Sequence, residues 1–324
     1  SIYDISFVGG ADAKIAGKLL VPGETNGAGI VVVNDIGGPI DVLGAKTFAE
    51  RGYVCLASAH RGSDGSEGYV DVDYWPKDIV KQVTILENLT SIDAGLPKVE
   101  KVGVYGHCVA GDTVIEAIVQ DPRIDAAAVS AFSQDMWHVA LTTVLGQLPR
   151  TPESVMKFLN DLFIGLKVES VGKLFNPLIQ LVGIVLPASI GDILASMLEA
   201  IPSGLVSMLN TALCLPRIAG IMPSGQLRAL FELIVYVLAA ATHSGYNYAP
   251  EIGIPIIYIH GTNDYASPVD WSKKVYELTA SQNKDLVLIQ NADHWYMTPE
   301  GISVAPEALG YVADWFDVYL PEEI

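Results

Sequence analysis

Short runs that are apolar on both faces recur through the first 135 residues, the plainest being Ile30-Val-Val-Val33. A strand with one face in water alternates apolar and polar positions. A run without alternation fits a strand covered on both sides, as in a parallel sheet. The pattern predicts strands over 14–21, 30–34, 53–57, 102–105 and 126–130, separated by helical stretches over 42–51, 75–89 and after Cys108. It resumes late in the chain, with strands over 254–260 and 285–289 and helices over 268–279 and around 306–319. Alternating βα units of this kind imply a doubly wound, mostly parallel α/β sheet.

Between 136 and 249 the pattern changes to mostly helical, sparsely charged sequence punctuated by Pro149, Pro152, Pro177, Pro187, Pro202, Pro216 and Pro223. Segments such as 178–186 and 233–241 are apolar nearly all round. A membrane span needs about 20 uninterrupted apolar residues, and prolines or polar residues break every candidate first. The expected organisation is therefore an α/β core over 1–135 and 250–324, split by a helical insertion over 136–249. That insertion either packs against its neighbours as bland structure or caps an apolar pocket.

Composition narrows the function. The chain has 324 residues, 50% hydrophobic and 17% charged, so a large core is expected and disorder is not. With 19 Lys+Arg against 37 Asp+Glu, the net charge of −18 argues against nucleic acid and anionic membrane surfaces as partners. Three scattered cysteines, Cys55, Cys108 and Cys214, form neither a disulfide framework nor a zinc pattern, and the six histidines show no paired spacing. The expectation is catalysis without metal or organic cofactor. The first residues, Ser-Ile-Tyr-Asp, have no basic region followed by an apolar one. A soluble, cytoplasmic protein is expected on that basis.

The segment richest in chemistry is Val102-Gly-Val-Tyr-Gly-His-Cys-Val-Ala-Gly-Asp112. A strand expected to end at Tyr105 leads through Gly-His-Cys-Val-Ala-Gly into a helix. This is the form of a nucleophile elbow, G-x-S-x-G, with cysteine in place of serine and Ala110 in place of the second glycine. The turn is tight, so its flanking residues must be small. It would lift the Cys108 thiol above the sheet at a helix N-terminus, where thiolate and oxyanion are both favoured. The competing reading is a buried structural cysteine after an ordinary βα turn. Two later segments weigh against that. Ile256-Ile-Tyr-Ile-His-Gly-Thr-Asn-Asp264 ends a strand with a carboxylate, and Leu288-Ile-Gln-Asn-Ala-Asp-His294 places a histidine after the last strand. The chain order is then nucleophile, acid, base: Cys108, Asp264, His294.

With these residues the sequence resembles the α/β-hydrolase superfamily, and within it the dienelactone-hydrolase-like group. The resemblance covers about 14–135 and 250–320. It rests on the Cys108 elbow, the Asp264 and His294 motifs, and Val31-Val-Val-Asn-Asp-Ile-Gly-Gly38, similar to that group's strand followed by Q-E-I-F-G. The loop Ser58-Ala-His-Arg-Gly-Ser-Asp-Gly-Ser-Glu-Gly68 looks more like the R-G-x-G-x-S-E-G loop of serine peptidases and acyl esterases with this fold. The resemblance implies an α/β-hydrolase fold with a large helical cap insertion. It implies backbone N–H groups of Ile36 and Val109 as an oxyanion hole, and Asp35 as an auxiliary carboxylate against the resting cysteine. Asp35 is one methylene shorter than the family's glutamate, and its plainer reading is a loop aspartate bonded to local N–H groups. It also implies an alternative acid: some members, cysteine-dependent Dieckmann cyclases among them, take it from a position matching Asp135. Trp137 and His138 beside Asp135 read as hinge packing, and His60, His107, His243 and His260 as structural.

A thiolate nucleophile leaves a thioester, which water, an amine or a carbon nucleophile can attack. Three functions follow. The first is hydrolysis of an apolar ester, lactone or thioester. The second is acyl-thioester cyclisation or transfer in natural-product (polyketide) biosynthesis, on a substrate free or bound to a carrier protein, with the cap excluding water. The third is a retired hydrolase fold that binds an apolar ligand or a partner, against which the intact Cys–Asp–His set counts.

Overall fold

The computed structural model of the protein describes residues 1–33, 40–61, 64–67, 74–133 and 244–321. All of these but Ser244 belong to one compact unit spanning Ser1–Gly68, Asp73–Gln134 and Gly245–Ile324. Its strands are β1 (Ile2–Val8), β2 (Lys14–Leu20), β3 (Ala28–Val33), β4 (Val54–Ser58), β5 (Lys101–His107), β6 (Ile124–Ser130), β7 (Ile256–Gly261) and β8 (Lys284–Ile289). They form one sheet in the order β1-β2-β4-β3-β5-β6-β7-β8. Pairings β1–β2 and β2–β4 are antiparallel and the others parallel.

The helices are α1 (Val42–Ala49), α2 (Trp75–Glu87), α3 (Leu89–Ile92), α4 (Val109–Gln120), α5 (Gly245–Tyr248), α6 (Val269–Leu278) and α7 (Ala305–Tyr319). Two cores follow from the period-2 geometry of the strands. Val31 and Val33 of β3 join Ile79 and Val83 of α2, Val114 and Ile115 of α4 and Val275 of α6 on one face. Ile30 and Val32 join Phe48 of α1 and Val312 and Phe316 of α7 on the other. The unalternating run Ile30–Val33 is buried throughout because both of its faces are covered.

Three features depart from the sequence pattern. β1 is an edge strand, exposed along most of its length, that the strand pattern above did not include. β5 continues past Tyr105 to His107, because the ladder with β6 extends to the pair His107–Ser130. The helix expected over 75–89 breaks at Asn88, which leaves the helical region between α2 and α3. The cap expected over 136–249 lies outside the described residues up to 243. The chain is back in the sheet's unit from Gly245, earlier than the expected boundary at 250. There the Gly245 N–H donates to the buried carboxylate of Asp112, in the first turn of α4.

The loop after β4 is clamped from beneath. Arg61 donates to both oxygens of Asp78 in α2 and to the Gly10 carbonyl, and Asp78 accepts the Gly10 N–H. His60 stacks on Trp75, the first residue of α2, at 4.2 Å between ring centroids.

Candidate active site

β5 ends at His107 and α4 begins at Val109, so Cys108 alone makes the turn, at φ 58° and ψ −126°. A side chain at positive φ costs on the order of 1–3 kcal/mol and persists only where its surroundings impose it. Here the Cys108 N–H donates to the Ser130 carbonyl (2.8 Å), and the Cys108 carbonyl accepts from Gly111 (3.0 Å). The turn closes so tightly that a Cβ on Gly106 would lie 2.6 Å from the Ala110 carbonyl oxygen. Gly106→Ala is therefore expected to destabilise the protein by about 1–3 kcal/mol, read as a lower urea midpoint at unchanged slope.

Val109 is the first residue of α4, so its N–H has no partner within the helix and is free to face an oxyanion beside Cys108. The same helix end favours a thiolate over a thiol. Cys55 is the contrast: it sits in the core, and burial pushes its thiol up, out of the reactive range.

The acid and base arrive on two loops that are bonded to each other. After β7, Thr262 N–H donates to the Ile289 carbonyl (2.9 Å) and Asn263 N–H to the Ala292 carbonyl (2.9 Å). A Cβ on Gly261 would lie 2.3 Å from that same Ala292 oxygen, so glycine lets the histidine loop close onto the strand end. Within that loop, Asp293 accepts the N–H groups of Trp295 and Met297. Between the loops His294 Nδ1 meets Asp264 Oδ2 at 2.8 Å. A nitrogen facing a carboxylate carries the proton, which leaves Nε2 for Cys108, whose side chain hydrogen-bonds His294.

Asp264 is saturated. Oδ1 accepts the N–H groups of Ala266 and Ser267 (2.8 Å each), and Oδ2 also faces His260 Nε2 at 3.2 Å. Burial alone would raise its carboxyl, but the hydrogen bonds from His260 and His294 outweigh that and hold it well below the usual carboxylate range. For His294, burial pushes downward. The negative sulfur of Cys108 and the hydrogen bonds to Asp264 and Cys108 prevail, holding the imidazolium well above the usual histidine range. The arrangement can sustain a thiolate–imidazolium pair oriented by a carboxylate.

His107 fills the elbow's variable position, buried, with Nδ1 2.8 Å from Ser130 Oγ and its ring 5.1 Å from that of His294. Burial first, then the neighbouring His294, push it down to about 3, against the pull of Asp264. A histidine kept neutral when folded but free to protonate when unfolded makes stability fall as pH drops below its unfolded value of about 6.5. The fall continues until the folded group titrates near 3. Between pH 7 and 5 this loss is about 2 kcal/mol, and His107→Gln is expected to remove that part of the pH dependence in paired urea titrations.

The structure thus brings Cys108, His294 and Asp264 together, with Val109 beside them. Asp35, Ile36 and Asp135 lie outside the described residues, as do Trp137, His138, His243 and Cys214. Sequence reasoning missed three contributors. His260 reads as structural in the sequence, yet its single Nε2–H is shared between the Ser267 carbonyl (2.8 Å) and Asp264 Oδ2 (3.2 Å) while its Nδ1 meets Ser272 Oγ (2.6 Å). Ser133 and Ser267, the other two, carried no signal beyond their places after β6 and Asp264. Among the described residues no group of three or more His, Cys, Asp or Glu is placed to hold a metal ion. No described helix is long and apolar enough to cross a membrane.

No family model matches the chain, and no curated protein sequence does. Solved structures do match it in fold. The α/β hydrolase GrgF from Penicillium sp. sh18 aligns with a TM-score of 0.58 and 16% identity, covering 99% of each chain. The Pyrococcus furiosus esterase Pf2001 aligns at 0.57 and 14% identity, over 99% of this chain and 93% of that one. The monoacylglycerol lipase of Paleococcus ferrophilus aligns at 0.52 and 16% identity, over 97% and 98%. Identities this low establish a shared fold, and the chain has the α/β-hydrolase fold.

Proposed function

We propose that the protein is an acyl-transferring enzyme, a cysteine-dependent hydrolase of apolar esters, lactones or thioesters. The observation that carries this reading is the bonded series Asp264–His294–Cys108, with Cys108 at positive φ at the head of α4. The Cys108 thiolate attacks the acyl carbonyl, and the oxygen takes the negative charge beside the Val109 N–H. The Ile36 N–H is the second donor expected from the sequence, and each such donor contributes a few kcal/mol, about 3, in enzymes of this kind. His294 gives its proton to the departing alcohol or thiol, leaving a Cys108 thioester. In the second half His294 takes a proton from water, the hydroxyl oxygen bonds to the acyl carbon, and the carbon–sulfur bond breaks to release the acid and restore the thiolate. Asp264 keeps the proton on Nδ1 throughout and stabilises the imidazolium.

The α/β-hydrolase fold of the esterase and lipase neighbours supports an ester-type acyl donor by analogy of fold. The test is intact-protein mass spectrometry after mixing with an apolar activated acyl thioester. Wild type should gain the acyl mass and lose it in water with release of the free acid. Cys108→Ala should gain nothing. An adduct that persists in water and resolves only into a ring-closed product would assign the acyl group to an internal nucleophile instead, the cyclase alternative. No adduct and no turnover across a range of donors would sink the enzymatic reading.

A further inference from the structure

Ser133 follows the end of β6, and its side chain is fully buried. Its Oγ lies 3.3 Å from Cys108 Sγ, 3.4 Å from the Ala131 carbonyl and in a hydrogen bond with Ser267 Oγ. Ser267 is equally buried, and both of its backbone groups are engaged: the N–H on Asp264 Oδ1, the carbonyl on His260 Nε2. Among the described residues, Ser133 Oγ is the one polar partner of the Ser267 hydroxyl.

Counting protons orients the series. Each hydroxyl has one hydrogen to give. Among the described residues Ser267 has only Ser133 Oγ to give it to, so the Ser133 hydrogen is directed elsewhere, to the sulfur or to the more distant Ala131 carbonyl. A thiolate is the stronger acceptor because it is charged. A hydroxyl that already accepts a hydrogen bond is also the better donor. We infer that Ser133 activates Cys108 by donating its hydroxyl to the thiolate, with Ser267 aligning it from the Asp264 loop. The inference rests on Cys108 being the nucleophile proposed above.

The consequence is selective. A thioester sulfur carries no charge, so on acylation the Ser133 hydrogen turns towards the Ala131 carbonyl. It returns to sulfur as the carbon–sulfur bond breaks. The hydroxyl therefore favours the free thiolate over the acylated state and assists its departure in the second half-reaction.

The experiment is alkylation of Cys108 by iodoacetamide in wild type, Ser133→Ala and Ser267→Ala, followed by mass spectrometry across the range from about pH 5 to 9. The titratable groups around the thiol among the described residues are His294, bonded to it, Asp264 and His260 behind, and His107 against the His294 ring. All are unchanged in both variants. Ser133→Ala is expected to slow alkylation at neutral pH about tenfold and to move its midpoint up by about one pH unit. Ser267→Ala keeps the Ser133 side chain and should shift the profile the same way by a smaller step. Loosened packing would have the opposite sign, because a less buried thiol alkylates faster. A Ser133→Ala profile that superimposes on wild type, or one that is faster, overturns the inference. Failure of the underlying reading would look different: wild type itself would neither acylate at Cys108 nor alkylate there faster than an ordinary thiol.

Discussion

Replacing Cys108 by alanine is expected to lower kcat/KM by roughly four to six orders of magnitude, with the fold intact. The size follows from the site acting as one unit. In the proposed mechanism the elbow, the Val109 N–H and His294 all serve a covalent intermediate, so once the sulfur is gone only binding and charge stabilisation remain. Stability should change little by comparison. The residue sits at a strained φ of 58°, which alanine must also adopt, and the removed atom leaves a small gap. Steady-state kinetics on an apolar ester, paired with urea denaturation, checks both halves. Activity within tenfold of wild type would mean that water attacks directly and that no acyl-enzyme forms.

Asp264→Asn is expected to cost about three to four orders of magnitude in kcat/KM, most of it in kcat. The asparagine amide offers an N–H where the carboxylate offered a charged acceptor, so His294 is pushed towards the wrong tautomer. The pH profile carries a second signature. In wild type the Asp264 carboxylate is one of the groups that hold the His294 imidazolium above its usual range. Without that charge the imidazolium loses its proton sooner, so the alkaline limb of kcat/KM moves to lower pH. If Asp135 were the working acid, Asp264→Asn would leave the alkaline limb in place, and the large loss would appear with Asp135→Asn.

How much of this was legible in the sequence differs from element to element. The buried parallel strands declared themselves, because a run such as Ile30–Val33 with no polar alternation fits a strand covered on both faces. The tight turn at Cys108 was legible too, since few turns demand small residues so closely on both sides. The edge strand β1 was not picked out, although Tyr3, Ile5 and Phe7 alternate with Asp4 and Ser6. It is exposed along most of its length, and its ladder with β2 and the packing of Ile5 on the core hold it in the sheet. The role of His260 was hidden for a related reason. A histidine within a strand reads as core, and nothing local reveals that the following loop folds back to set Asp264 against it.

The sequence by itself determined the sheet's buried strands, the chain order of Cys108, Asp264 and His294 at successive strand ends, and the cysteine at the turn. Each of these is written in local spacing or in residue type. The tertiary structure alone decided that Asp264 and His294 meet, that His260 and Ser267 support the carboxylate, and that Ser133 reaches the sulfur. Those contacts join residues from separate loops, and hydrogen bonds of about 3 Å are set by how β5, β6 and β7 lie side by side in the sheet. Periodicity places a residue on a face of its own element. Only the lateral packing of strands converts three such placements into one site.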